Sequence, residues 1–358
     1  MGLLRLILAA AVVFAHTPLR SGLTGGRLAV EAFFMISGFY VALVLERNYR
    51  RASDFYVNRY LRLAPIYIVV ALASLASWWF VGVKPFPESA APISGFSPSA
   101  LGFLLWTNAT MFFQDMTMFM CDGSGGLYWV SDFRACEPPL YGALLIPQAW
   151  SLGVEIAFYA LAPWLLRLRS SWLVAIVVAS LALKTGLFAA GLRRDPWDYR
   201  FFPSELFLFL AGSLAYRWRT EFAWLSDTRC PQLKVFGMIA FALVFSLLPF
   251  GAGFAWLFLM ALFLSLPALL RFSSDHAWDR RIGEISYPLY LSHVLVIGWL
   301  HYSNFSLGKW GFSLLALLAA ILLSFALYQL VDIPMERLRA ARRRRDLPPR
   351  ATEIRGAA

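Results

Sequence analysis

Residues 5–16 read RLILAAAVVFAH, an unbroken apolar run with a permanent cation at its start and an imidazole at its end. Nothing inside the run breaks a helix, and its residue types favour one. At about 100° and 1.5 Å per residue, Arg5 and His16 are separated by roughly three turns, so they share one stripe about 16 Å apart. Such a pair can address one ligand from two depths if the helix stands in a bilayer.

Composition supplies the bilayer. The 358-residue chain is 59% hydrophobic and carries a net charge of +11, with a mean hydropathy of +0.62. No water-soluble domain carries so little polar surface, and the expected class is an all-α polytopic membrane protein. The positive charge does not point to nucleic acid, because the basic residues fall in short clusters between apolar runs and not along one face.

Ten runs are long enough to cross about 30 Å of hydrocarbon: 3–19, 28–46, 60–82, 147–166, 171–190, 203–218, 234–250, 253–271, 284–301 and 309–332. Basic clusters follow alternate runs: Arg47, Arg50, Arg51, Arg59 and Arg62; Arg167 and Arg169; Arg217, Arg219, Arg229 and Lys234; Arg271, Arg280 and Arg281; and Arg337, Arg339 and Arg342 to Arg345. All five fall on one side only if the further apolar segment 101–113 does not cross. About ten transmembrane helices with both termini cytoplasmic are therefore expected, with 101–113 re-entrant or lying at the outer interface. Arg193, Arg194 and Arg200 would then be outer exceptions. The expected organisation is a membrane domain over 1–336 and a basic cytoplasmic tail over 337–358.

Cys121 and Cys136 share the long outer segment, where an oxidising compartment would allow them to pair. No Cys-x-x-Cys or His-Glu-x-x-His spacing occurs, so no metal is expected.

Ionisable groups at bilayer depth are costly unless paired, which makes each a functional candidate. Arg5 either snorkels to the headgroups or faces a ligand. His16, near the outer half, is placed to take a proton from a hydroxyl. Glu31 either orients that imidazole or caps the start of the second helix. Glu155, among Trp150, Phe158 and Tyr159, is a second acid/base group, a hydrogen-bond acceptor or a packing carboxylate. Arg59 and Arg62, three residues apart on one helical face, either mark the inner boundary or form a fork for phosphate oxygens.

These residues fall within ordered signatures. Arg5-x10-His16 comes first, then Gly26 with Phe33, Phe34, Ser37, Gly38 and Phe39, then Arg59-x-x-Arg62 before Pro65. Trp150-Ser151-Leu152-x-x-Glu155, Tyr290-Leu291-x-His293 and Asp332-x-Pro334 follow. In this order they resemble the bacterial acyltransferase family 3 integral-membrane O-acyltransferases, over essentially the whole chain. The resemblance implies transfer of an acyl group, most often acetyl, from a cytosolic coenzyme A thioester to a hydroxyl of an extracytoplasmic or lipid-linked carbohydrate, in the bacterial cytoplasmic (inner) membrane. On that reading Arg59 and Arg62 hold coenzyme phosphates and Arg5 lines the path of the coenzyme arm. His16 is the general base, assisted by Glu31 and Glu155, while Trp150, Ser151 and Phe34 meet substrate. His293 is read as structural. The competing class is a proton-coupled transporter of a glycan or lipid-linked precursor, in which His16, Glu31 and Glu155 form a relay; a non-catalytic scaffold is a third.

Overall fold

A computed structural model describes residues 1–19, 25–48, 51–84, 95–221, 236–238, 240–241, 252–305 and 307–346. Arg50, Arg229, Cys230, Lys234, most of the apolar run 234–250 and residues 347–358 lie outside the described residues.

The described chain is a helical bundle. Its helices are α1 (Gly2–Ala15), α2 (Gly25–Asn48), α3 (Ala52–Ala76), α4 (Pro98–Thr110), α5 (Trp150–Leu165), α6 (Ser170–Ala189), α7 (Phe202–Arg217), α8 (Ala252–Asp275), α9 (Ala277–Tyr302), α10 (Lys309–Leu327) and α11 (Ile333–Asp346). Short π-helical segments extend α3 over Ser77–Val81 and join α10 to α11 over Tyr328–Asp332. Residue 336, the expected domain boundary, falls inside α11.

Five helical stretches among the described residues are long and apolar enough to cross a membrane: Gly25–Arg47, Ala52–Val81, Ser170–Ala189, Ala255–Asp275 and Lys309–Arg342. The 14 residues of α1 and the 16 each of α5 and α7 make shorter rods, about 21 to 24 Å long. They sit largely inside the bundle, whereas α6 and α10 turn apolar side chains outward, Val178 at 59% and Leu322 at 72% exposure. Those faces fit a hydrocarbon solvent.

Packing at the centre depends on small residues. α2 crosses α7 so closely that a Cβ on Gly38 would stand 1.9 Å from the Phe209 carbonyl oxygen, and one on Gly212 1.9 Å from that of Met35. Ser213 Oγ donates across the same crossing to Gly38 O, at 3.0 Å. α1 lies between α2 and α9, and its first turn is capped by Asp279, whose carboxylate accepts from the Gly2 and Leu3 amides at 2.8 Å each.

The segment 101–113 forms most of α4, whose 13 residues span about 20 Å. Met111 and Phe113 take positive φ just after it and turn the chain. A two-stranded antiparallel hairpin follows, β1 (Met120–Gly123) on β2 (Gly126–Trp129) with Met120 opposite Trp129. A disulfide joins Cys121 to Cys136.

Candidate active site

Helical periodicity brings polar groups of five helices to one place. Along α2 the inward face carries Phe33, Ser37 and Tyr40; along α5 it carries Ser151, Glu155 and Tyr159; along α9, Tyr287 and Tyr290. With Arg5 of α1 and Arg59 and Arg62 of α3, these line a cavity of about 110 Å³. Six of the expected site residues therefore share one wall: Arg5, Phe34, Arg59, Arg62, Ser151 and Glu155.

Glu155 is the hub of the cavity. Its Oε1 accepts from both Ser37 Oγ and Tyr159 OH. Arg59, only 8% exposed, lies 5.6 Å above the Tyr159 ring and 5.5 Å from that of Phe55. It is a desolvated cation, held by aromatic faces. Arg62 differs, because its Nη2 stands 3.7 Å from Glu284 Oε2, a carboxylate partner the sequence reading did not give it. At the other end, Tyr290 OH donates to Gln148 O at 2.8 Å and lies 2.7 Å from Ser151 Oγ.

His16 does not line this cavity. Its ring stands beside His293, centroids 5.0 Å apart, and the His293 ring is 6.0 Å from that of the cavity residue Tyr290. The contacts assign the tautomers. His293 Nδ1 is 2.7 Å from Tyr290 O and so carries the proton, which leaves its Nε2 as an acceptor 3.3 Å from His16 Nδ1. His16 Nδ1, also 2.9 Å from Val12 O, faces two acceptors and is a donor. The basic lone pair of His16 is therefore on Nε2.

Glu31, for which the sequence left an imidazole partner or a helix-capping role open, is paired with a guanidinium. Arg27, one turn earlier on α2, donates Nε to Glu31 Oε1 at 3.0 Å and Nη1 to Asp198 Oδ2 at 2.7 Å. An i, i+4 guanidinium already on the same helix captures the carboxylate, and the imidazole is oriented by Val12 O and His293 in its place. Trp150 is off the cavity wall, edge-on to Phe34 at 6.4 Å and to Tyr199 at 4.8 Å, with Arg200 4.1 Å above its ring.

Sequence reasoning missed His293 as a partner of His16, although it stood in a quoted signature, because only the pairing of α1 with α9 reveals the contact. It also missed Glu284 and the Tyr290–Ser151–Gln148 set, which no local spacing marks, and Arg27, which the i, i+4 spacing to Glu31 could have found. Among the described residues no group of three or more His, Cys, Asp or Glu side chains is placed to hold a metal ion.

Comparison with known proteins agrees with the ordered signatures. Residues 1–329 match the family described as an acyltransferase domain. The chain is 25% identical over 344 residues to the exopolysaccharide production protein ExoZ of Rhizobium meliloti (strain 1021), a match covering 89% of this chain and 92% of that one. It is also 28% identical over 204 residues to an uncharacterized protein of Aquifex aeolicus (strain VF5), covering 54% of this chain and 89% of the relative. No solved structure matches. With signatures, helices and a match over most of its length in agreement, this chain belongs to acyltransferase family 3.

Proposed function

We propose that the protein is an acyl-coenzyme A dependent O-acyltransferase of the bacterial cytoplasmic membrane, with about ten crossings and both termini in the cytoplasm. It moves an acyl group, acetyl in the first instance, to a hydroxyl of an extracytoplasmic or lipid-linked carbohydrate. The observation that carries this reading is the cavity where Arg5, Arg59 and Arg62 meet hydroxyl groups gathered on Glu155. Cations at one end suit phosphate oxygens, and hydroxyls beyond them suit an amide-bearing arm. The exopolysaccharide role in the relative's name supports a carbohydrate acceptor.

In this mechanism the acceptor hydroxyl gives its proton to His16 Nε2 as its oxygen attacks the thioester carbonyl. The carbon–sulfur bond breaks, and the departing thiolate takes the proton back from the imidazolium. His16 lies off the cavity wall, so this mechanism requires the thioester to pass Tyr290, whose ring contacts His293 beside His16. His293 Nε2, accepting from His16 Nδ1–H, stabilises the charge that the first ring gains. Phe34 of the cavity wall is backed by Phe209, stacked on it at 4.8 Å and on Phe158 at 4.6 Å, an apolar support that favours keeping water from the thioester.

The test is release of free coenzyme A thiol by purified protein given acetyl-coenzyme A and a panel of sugars. His16→Ala is expected to lower transfer about 10²-fold or more while coenzyme A binding persists. Transfer at the wild-type rate in that variant would remove His16 as base, and thioester consumption by no acceptor would favour the transporter or scaffold.

A further inference from the structure

A second cavity, about 300 Å³, opens one to two turns beyond the first along the same helices. On α2 it is reached at Glu46, after Tyr40; at the N-cap of α3 at Arg51, eight residues before Arg59; just past the end of α5 at Arg167, eight residues beyond Tyr159. From α7 come Tyr216 and Arg217. As sequence, these arginines read only as markers of orientation.

The charges in this cavity are arranged, not incidental. Arg217 is fixed by donating to the carbonyls of Leu166 and Leu168 at 2.5 and 2.7 Å, which sets a cation at the end of α5. Glu46 is offset by Arg219, 3.2 Å away, and Arg219 lies 4.1 Å above the Tyr216 ring. Arg51, Arg167 and Arg217 thus leave a cationic surplus. Tyr216 adds the second observation: it is 1% exposed and lines the cavity, and its hydroxyl makes no close hydrogen bond, the Glu46 carboxylate of the same cavity acting on it only loosely. A buried donor so weakly paired favours a stronger acceptor when one arrives. Guanidiniums around a phenol donor match a phosphate ester.

We infer that the second cavity binds the phosphorylated nucleotide end of the same donor whose arm occupies the first; this rests on the acyl-donor reading above. A third cavity, lined by Arg281, Glu336 and Arg337, is the control, since there a carboxylate offsets one of only two cations. A phospholipid headgroup carries the same chemistry as the nucleotide phosphates, so the test separates the two.

Coenzyme A and dephospho-coenzyme A, which lacks the 3′-phosphate, are titrated calorimetrically into the full-length protein in phosphatidylcholine nanodiscs. The wild type is expected to prefer coenzyme A about tenfold, the value of one charge-assisted contact set. Arg167→Gln and Tyr216→Phe each bring the ratio towards one while leaving dephospho-coenzyme A bound, and Arg281→Gln leaves it unchanged. Arg167 is exposed, so its loss does not threaten folding. A tenfold ratio surviving in both variants, or a wild-type ratio near one with coenzyme A still bound, overturns the site. If the wild type binds neither compound, the donor reading itself fails and takes this inference with it. If native mass spectrometry finds phosphatidylglycerol held by the wild type and lost from Arg167→Gln, with the coenzyme ratio unmoved, the cavity is a lipid site and the proposal is overturned.

Discussion

At the scale of single residues, the pair His16 and His293 turns a sequence motif into a defined tautomer. An imidazole whose Nδ1 faces a carbonyl of its own helix is a common way to end a helix, and by itself implies no chemistry. The second imidazole changes that, because its acceptor Nε2 stabilises a proton gained on the far side of His16. His293→Leu is therefore expected to lower kcat with little effect on KM for the thioester, to a smaller extent than His16→Ala, and to displace the acid limb of the pH–rate profile. An unchanged profile would reduce His293 to packing. Asp115 offers a second test, outside the spans. It is 2% exposed and packed against Gly153, and burial pushes its carboxyl up to about 7 against the opposing pull of its own amide and that of Met116. A raised carboxyl favours the folded state fully at low pH, and that contribution is lost as pH rises from the ordinary value of 3.8 through about 7. Asp115→Asn should thus gain melting temperature relative to wild type at pH 8, and show no such gain at pH 4. The free energy at stake is on the order of a few kcal/mol. Equal melting differences at the two pH values would mean that Asp115 is ionised when folded.

At the scale of elements, the α2–α7 crossing supports the cavity wall, since Ser37 follows one face of α2 while Gly38 touches α7. Gly38→Ala would force a methyl into the Phe209 carbonyl, and the helices must separate. A cost of about 1–3 kcal/mol is expected for such overpacking, read as a lower melting temperature together with weaker coenzyme A binding. Wild-type melting would show that the crossing is slack. Gly38 stood in a sequence signature with no partner assigned to it, whereas Arg59 and Arg62 were legible as one face from their spacing of three. What was not legible is which partner each charge takes. Glu31 had two roles open and pairs with Arg27, which neither named; Arg62 acquired Glu284 from a helix more than two hundred residues away. Local periodicity selects a face, but only the arrangement of helices selects the contact across it.

At the scale of the whole molecule, the ends of the helices sort into two groups, and this bears on the topology that charge alone suggested. The Arg219–Glu46 pair and the Arg217 contact with Leu168 O gather the ends of α2, α5 and α7 at one end of the bundle. At the other end, Trp299 Nε1 donates to Ser77 Oγ at 3.0 Å and Gln148 Nε2 to Leu291 O at 2.7 Å. The finish of α3 and the approach to α5 thus both meet the C-terminal half of α9. α4 is only 13 residues long, and one-sided basic clusters require that it does not carry the chain across. Had α4 crossed, the loop after α5 would lie opposite the loop after α2. In a Cys230→Ser background with the disulfide intact, Ser53→Cys and Arg169→Cys are expected to resist a membrane-impermeant maleimide applied to the periplasmic side, and Asn304→Cys to react. Labelling of Arg169→Cys without Ser53→Cys would mean that α4 spans the bilayer, and labelling of both without Asn304→Cys would invert the protein and put its cationic cavities on the side where no coenzyme A thioester is made.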